Sequence, residues 1–301
     1  MNGSTYHQLT TFLTIVQEGS IRAAARKLEV APPSVSQALK QLEQQIGLPL
    51  LTRTTRQMEL TDAGRTLVEQ ASPAVEHLKY ALEAVHDLSE VPSGKVRITL
   101  PRFVCQLFLQ PVYAEFCLRY PNIELEISVS DATVNIIGEG FDLGIRFGDR
   151  VEEGMVSIPL GPSMPDAVFA SPEYLQRKGE PKTLSELKQH RLIRYRYLAS
   201  NQLAPLVLRE SGQNVQVDMP AALVVNDTDL MVDAVRNGLG IGRMIAWVVQ
   251  KDFDRGELVP VLQDHWIDAP ALHLCFAQRS QQAKRVRVLI DFLREKAAQY
   301  W

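Results

Sequence analysis

Between positions 34 and 41 the chain sets Ser34, Ser36, Gln37, Lys40 and Gln41 among Val35 and Leu39. Val35, Leu39, Leu42 and Ile46 are spaced by four, three and four, the buried stripe of a helix. The polar residues then share its opposite face, near the N-terminal end, where backbone amides also favour phosphate. Short hydroxyls reach base edges or phosphates, glutamine pairs with adenine N6/N7, and lysine meets guanine acceptors or phosphate. Arg53 and Arg56 flank Thr54-Thr55 at the tip of what reads as a short hairpin over 50–60. Guanidinium groups there suit phosphate or minor-groove contact.

Catalytic and metal chemistry has much less to stand on. There is no P-loop and no Gly-x-Gly-x-x-Gly. Gly238-x-Gly240-x-Gly242 has the wrong spacing and reads as a turn. No Ser/His/Asp set follows a nucleophile elbow. The six histidines form no i,i+4 pair, and Cys105, Cys117 and Cys275 have no metal-ligand spacing. A separation of twelve keeps Cys105 and Cys117 from pairing within one helix, so they read as buried small hydrophobes. A thiol redox sensor is the alternative those cysteines leave open. The expectation is no enzyme, no cofactor and no metal.

The elements that position the polar face are short helices. Leu9, Phe12, Leu13 and Val16 make one apolar helical face. Gly19-Ser20 breaks the chain and restarts it, with Ser20 as N-cap. Ala23, Ala24, Ala25 and Leu28 form a close-packing second helix. Pro32-Pro33 opens the third and Gly47 closes it. Two helices joined by a tight turn, the second with an exposed polar face, carry the helix-turn-helix pattern. A small helical interaction module with a solvated polar face fits the same pattern.

From Thr61, Leu67, Ala71, Ala74, Leu78, Ala81, Val85 and Leu88 alternate spacings of four and three, a coiled-coil seam that predicts dimerisation. A helix packed on its own domain is the alternative. Pro73 should kink or break it. Beyond a linker, Val91-Pro92-Ser93-Gly94, the pattern becomes α/β. Strands are expected at 96–100, 123–129, 142–147 and 271–277, and helices at 103–120, 133–139 and 284–298. A second run of such elements spans about 166–265. This alternation implies βαβ units and a largely parallel sheet.

Composition bounds these readings. The chain has 301 residues, more than one core usually serves. Apolar residues make up 46% and charged ones 22%, ordinary for a globular protein. No stretch approaches ~18 uninterrupted apolar residues, and no secretory signal is evident, so a cytoplasmic address is expected. Net charge is −3, but residues 1–65 hold seven Lys/Arg against five Asp/Glu, a basic head on an acidic body.

Residues 9–64 resemble the DNA-binding segment of the LysR-type transcriptional regulators. The match runs Leu9-x-x-Phe12-x-x-Val16-x-Glu18-Gly19-Ser20, Ala23-Ala24, Leu28, Pro33-x-Val35-Ser36-Gln37, Leu42-Glu43, Gly47, Leu50-Leu51-x-Arg53, Arg56 and Leu60-Thr61-x-x-Gly64. Gly94-x-Val96-Arg97-Ile98, Arg119-Tyr120-Pro121, the phrase from Glu139-Gly140-Phe141-Asp142 to Arg146, Ala170-Ser171-Pro172 and Gly238-Leu239-Gly240-Ile241 resemble the family's effector domain, most like the CrgA/PtxR branch. The resemblance implies an α/β chain with a winged helix-turn-helix (1–65), a linker and dimerisation helix (66–92), and a two-lobed, periplasmic-binding-protein-like effector domain (93–301). Lobe I takes 93–161 and 268–301, lobe II 162–267, with hinges near Gly161-Pro162 and Trp266–Asp268. It implies Ser36 and Gln37 at the base- and phosphate-contacting positions and Arg53 in the wing; with the helix face and hairpin tip, the expected DNA contacts are Pro33, Ser34, Ser36, Gln37, Lys40, Arg53, Thr54 and Arg56. The implied partners are an inverted-repeat operator, a small-molecule effector, RNA polymerase, and further copies forming a dimer and then a tetramer. Departures are Ile21 for the usual Phe, Ala31-Pro32 for the common Ser-Gln, and Gln37 where Arg is frequent, so the operator sequence does not carry over. A two-lobed solute-binding protein is the competing reading of the body alone.

In open α/β sheets a ligand sits beyond the carboxyl ends of the strands. Those ends carry Pro101, Arg102 and Phe103, then Ser130, then Arg146 and Phe147. Asn226, Thr228 and Arg243 come from the second lobe. Arginines converging on one crevice suit an anionic effector. Equally, Arg102 and Arg146 fit a structural role paired with Asp131, Asp149 or Asp227.

Overall fold

The computed structural model describes residues 3–53, 58–86, 91–132, 134–150, 154–278 and 280–300. They form two compact units, Met1–Glu90 and Val91–Trp301. The first begins with α1 (Gly3–Glu18), α2 (Ile21–Lys27) and α3 (Pro32–Ile46). Gly19 adopts φ 69°, and Ser20 Oγ accepts the Ala23 amide at 3.1 Å, starting α2 as its cap. Ala31, before α3, makes no side-chain cap bond, as its methyl must. Gly47 closes α3 in the left-handed region, donating to the Glu43 carbonyl at 2.8 Å.

β1 (Leu51–Arg53) and β2 (Met58–Leu60) pair antiparallel and lead into α4 (Asp62–His86). Glu43 holds the approach to this hairpin, its carboxylate accepting the Leu50 amide at 2.8 Å. Thr61 donates to the Pro49 carbonyl at 2.7 Å and accepts the Gly64 amide at 3.0 Å. A Cβ on Gly64 would lie 2.1 Å from the Leu50 carbonyl oxygen, so only glycine fits there. Phe12, Ile15, Ala24, Val35, Leu42, Leu50 and Val75 form the core.

α4 is continuous through Pro73, so the expected break does not occur. Pro73 is exposed, as is Glu69, whose carbonyl loses its helical donor and can turn to water. The seam divides by burial. Leu67 packs on the head's core and Ala71 is buried, whereas Ala74, Leu78, Ala81 and Val85 are exposed.

The second unit begins with β3 (Gly94–Leu100), α5 (Arg102–Val104), α6 (Tyr113–Arg119), β4 (Ile123–Val129), β5 (Leu143–Phe147) and β6 (Met155–Pro159). β7 (Met164–Ala170), α7 (Pro172–Lys178), α8 (Leu184–Leu187), β8 (Leu192–Tyr195), β9 (Leu206–Glu210) and β10 (Gln213–Val217) follow. Then come β11 (Ala221–Val225), α9 (Thr228–Arg236), β12 (Gly242–Ile245), α10 (Ala246–Arg255) and β13 (Val259–Pro260). β14 (Ile267–Ala269), β15 (Leu272–Ala277) and α11 (Lys284–Tyr300) end the chain.

One sheet has the order β4-β3-β5-β15-β6; the first three strands are parallel, and β15 is antiparallel to both neighbours. Val286, Leu289, Phe292 and Leu293 of α11 pack into its core with Ile98, Ile145, Leu274 and Phe116. In the other lobe β12, β13 and β14 all pair antiparallel with β7, while β8 and β11 are parallel. β9 and β10 form a hairpin over Ser211-Gly212, both with positive φ. This lobe is thus less parallel than expected. Strand–helix alternation does not encode the sense of pairing when β7 draws partners from far along the chain.

Three local expectations change. The helix expected over 103–120 is split into α5, a π-helical turn Cys105–Leu109 and α6. Pro111 lacks the amide a continuous helix needs there, and the chain leaves helical geometry at Val112, with φ −123°. The helix expected over 133–139 is not formed by its described residues, which make turns. Asn135 Oδ1 accepts the Gly138 amide at 2.7 Å, a local bond that competes with helix, and Gly140 has φ 72°. Finally, the chain crosses between the sheets at 160–163, which contains Gly161-Pro162, and again at Pro270-Ala271. The second crossing comes later than Trp266–Asp268 because Ile267–Ala269 still pair with β7.

Candidate nucleic-acid face and effector cavity

On α3, Val35, Ala38, Leu39 and Leu42 are buried. Pro33, Ser34, Gln37 and Lys40 are exposed, and Ser36 is half-buried. The 3.6-residue repeat therefore places the polar set on one free face at the start of the helix. Gln41 is tied to the first helix, its Oε1 accepting from Gln8 Nε2 at 3.0 Å. Arg53 ends β1 and pairs through its backbone with Met58. Thr54, Thr55 and Arg56 lie outside the described residues.

The second unit holds a cavity of about 250 Å³ between its sheets. Of the expected effector residues, Pro101, Phe103, Ser130, Arg146, Phe147, Thr228 and Arg243 line it. Arg102 and Asn226 do not. The Arg102 side chain lies 3.6 Å from Asp227, and its amide donates to Asp131 at 2.9 Å, the structural alternative for this residue. Asn226 lies instead on a smaller surface depression with Arg196, Tyr197 and Val224. Asn226 follows the last residue of β11 whereas Thr228 already belongs to α9, so sharing a strand end does not bring both to one wall.

Arg146, at the end of β5, is 8% exposed. Its guanidinium donates to the Ile145 carbonyl at 2.9 Å and to Thr99 Oγ1 at 3.0 Å. Arg243 on β12 donates to buried Asp166 on the adjacent β7, and to the Pro205 carbonyl at 3.2 Å. Burial raises the Asp166 carboxyl above its ordinary pKa, with the Arg243 guanidinium opposing that shift. Thr228 begins α9 behind its cap Asp227, whose side chain accepts the Leu230 amide at 2.9 Å. Among the described residues the buried Thr228 hydroxyl has no hydrogen-bond partner.

The sequence reading missed Asp166, Tyr195, Tyr197 and Met231, which also line the cavity. Asp166 had a usable signal, a lone acid opening an otherwise apolar buried strand. The tyrosines had none, since Tyr195 and Tyr197, at and just past the end of β8, reach the cavity through the pairing of that strand with β11 and its bridge to Ile241. Cys275 lines the cavity too, but burial pushes its thiol up to about 11. That is the reverse of what a reactive thiolate needs, and it disfavours a redox role for this residue. Cys117 is exposed, contrary to the expected burial, because α6 turns Phe116 inward and its neighbour outward.

Comparison with known proteins agrees with both halves. Residues 6–65 match the model for the bacterial regulatory helix-turn-helix protein, lysR family, and residues 89–298 that for the LysR substrate binding domain. The chain is 30% identical over 290 residues to the HTH-type transcriptional regulator PgrR of Escherichia coli (strain K12), covering 96% of this chain and 97% of PgrR. It is 29% identical over 298 residues to PtxR of Pseudomonas aeruginosa, covering 98% and 94%. The crystal structure of CrgA, a LysR-type regulator from Neisseria meningitidis, matches with a TM-score of 0.62 at 27% identity over 99% of both chains. The basic reading head, the two-lobed body and these likenesses lead to one conclusion: the chain belongs to the LysR family of transcriptional regulators, in the branch of CrgA and PtxR, a sequence-specific DNA-binding regulator that responds to a small-molecule effector.

Proposed function

We propose that this regulator reads its operator through Pro33, Ser34, Ser36, Gln37 and Lys40 of α3, with Arg53, Thr54 and Arg56 of the hairpin on the phosphate backbone. The observation that carries the reading is the polar face of α3, exposed beside the buried Val35, Leu39 and Leu42; Ile46, expected in the same stripe, is exposed because it lies in the last turn of the helix. Residues 1–65 act as the reading head, 66–92 as the dimerising linker, and 93–301 as the sensor. Two heads joined through α4 meet successive major grooves of an inverted repeat, about one helical turn apart. Two such dimers form a tetramer in the cytoplasm, and effector binding changes how the bent DNA meets RNA polymerase. The effector is an anion whose charge faces Arg146. The buried guanidinium at the cavity wall supports this, as it offers a planar fork to a carboxylate or phosphate.

Retention of genomic fragments on the purified protein at moderate salt tests the DNA reading. A few enriched intergenic sites sharing an inverted repeat are expected, with affinity falling steeply as salt rises. Retention with no shared site would refute sequence reading by this recognition helix. For the sensor, Arg146→Ala should abolish the effector response of a reporter behind a retained site, with fragment retention unchanged. Loss of folding instead would assign Arg146 to the scaffold.

A further inference from the structure

The walls and charges of the cavity narrow the chemistry of its occupant. From the β3 and β5 ends come Phe103 and Phe147, stacked with centroids 5.8 Å apart and planes at 23°. The other lobe supplies Tyr195 and Tyr197, 5.9 Å apart at 71°. Met231 and Met244 also line the space. Ring faces and thioethers favour a flat, polarisable guest over a saturated one. A volume of about 250 Å³ falls below the ~300–1,000 Å³ of sites for drug-sized ligands and suits one substituted ring.

The lining charges set a second limit. Asp131, Asp149 and Asp166 stand among them against Arg146 and Arg243, and Arg243 is already engaged by Asp166. One negative charge can be met by the Arg146 guanidinium beside the bonds it makes to Ile145 and Thr99, whereas a second would face the acidic surplus of the described lining residues. A third limit comes from Thr228. Its buried hydroxyl lacks a partner among the described residues, and leaving such a group unsatisfied is unfavourable. A ring substituent able to hydrogen-bond would satisfy it.

We infer that the effector is a single-ring aromatic monoanion bearing a hydroxyl or amino substituent, with the charge at Arg146, the ring against the two aromatic pairs and the substituent at Thr228. This rests on the cavity being the effector site. The test is calorimetric binding to the full-length protein, using 4-hydroxybenzoate, benzoate, cyclohexanecarboxylate and phthalate as probes. The expected order is 4-hydroxybenzoate tightest, benzoate next, and the saturated acid and the dianion weakest. Thr228→Val should erase the difference between 4-hydroxybenzoate and benzoate. Tyr197→Leu, at a half-buried position, should weaken both ring acids about three- to tenfold and leave cyclohexanecarboxylate unaffected.

Tighter binding of cyclohexanecarboxylate or phthalate, with sensitivity to Arg146→Gln, would overturn the aromatic monoanion and leave the cavity as the effector site. Ring acids that bind the wild type and both wall variants equally would overturn the cavity assignment itself. No heat from any ring acid would also overturn the proposed class. The reporter response to Arg146→Ala would still judge the cavity on its own.

Discussion

Gln37 and Arg53 represent two kinds of contact that single substitutions separate. A side chain making a good base contact discriminates between sequences, and one resting on phosphate does not. Ser36→Ala or Gln37→Ala should weaken binding to the preferred operator by roughly 1–3 kcal/mol, with little effect on random DNA. Arg53→Ala should weaken all sequences alike and lower the salt slope by about one. Competition titrations at several salt concentrations read both effects, and a change of base preference in Arg53→Ala would remove it from the wing role. His190 makes a different prediction. It is buried, its Nδ1 lies 3.3 Å from the Tyr174 hydroxyl, and burial holds its pKa below 6.5. The neutral form is thus favoured by folding. Its contribution is fully present above the unfolded pKa near 6.5 and is lost as pH falls through the lower folded value. Melting curves from pH 7.5 to 5 should show a shallower acid decline in His190→Gln than in the wild type. Parallel declines would mean that another group governs that limb.

At the scale of elements, α4 uses one repeat for two purposes. Its first turns bury Ala71 and Val75 and pack Leu67 against the head's core, while Leu78 and Val85 remain 46% and 67% exposed. Apolar residues left outside at heptad spacing gain most by packing on a second such helix. Leu78→Glu with Val85→Glu should therefore lower the oligomeric state in sedimentation and cost operator affinity, without unfolding the isolated head. An unchanged mass would assign those side chains to a solvated surface. The recognition helix contrasts with this, since Val35, Leu39 and Leu42 of its apolar stripe are buried in its own domain and only Ile46 at its end is exposed.

Across the sensing unit, two contacts tie the segment after β3 to the start of α9: Arg102 to Asp227 at 3.6 Å and Gln106 to Asp229 at 3.1 Å. They join the lobes beside the cavity. Both Arg102 and Asp227 are well exposed, so the pair is worth about 0–1 kcal/mol. Arg102→Ala should cost no more than that in urea unfolding, with the difference shrinking as salt screens the pair. A loss of several kcal/mol, insensitive to salt, would show that Arg102 supports the lobe by packing.

What the sequence determined by itself was local. The Ser20 cap, the Gly47 stop and the stripes of α1, α3 and α4 are set by neighbours three or four residues away, so spacing alone reveals them. The split of 103–120 was equally local, and Pro111 carried the signal. Strand ends brought Arg146 and Phe147 to the right region because chain direction fixes which end of a parallel strand faces the crevice, whereas Arg243 enters from the start of β12, which is antiparallel to β7. Tertiary structure alone decided the rest. It set β7 as the common partner of three later strands, paired Arg243 with Asp166, drew Arg102 away to Asp227, and brought Tyr195 and Tyr197 to the cavity wall. Those outcomes depend on the register between segments tens of residues apart. Side-chain period within a strand fixes only which residues share a face, and the partner strand decides what that face meets.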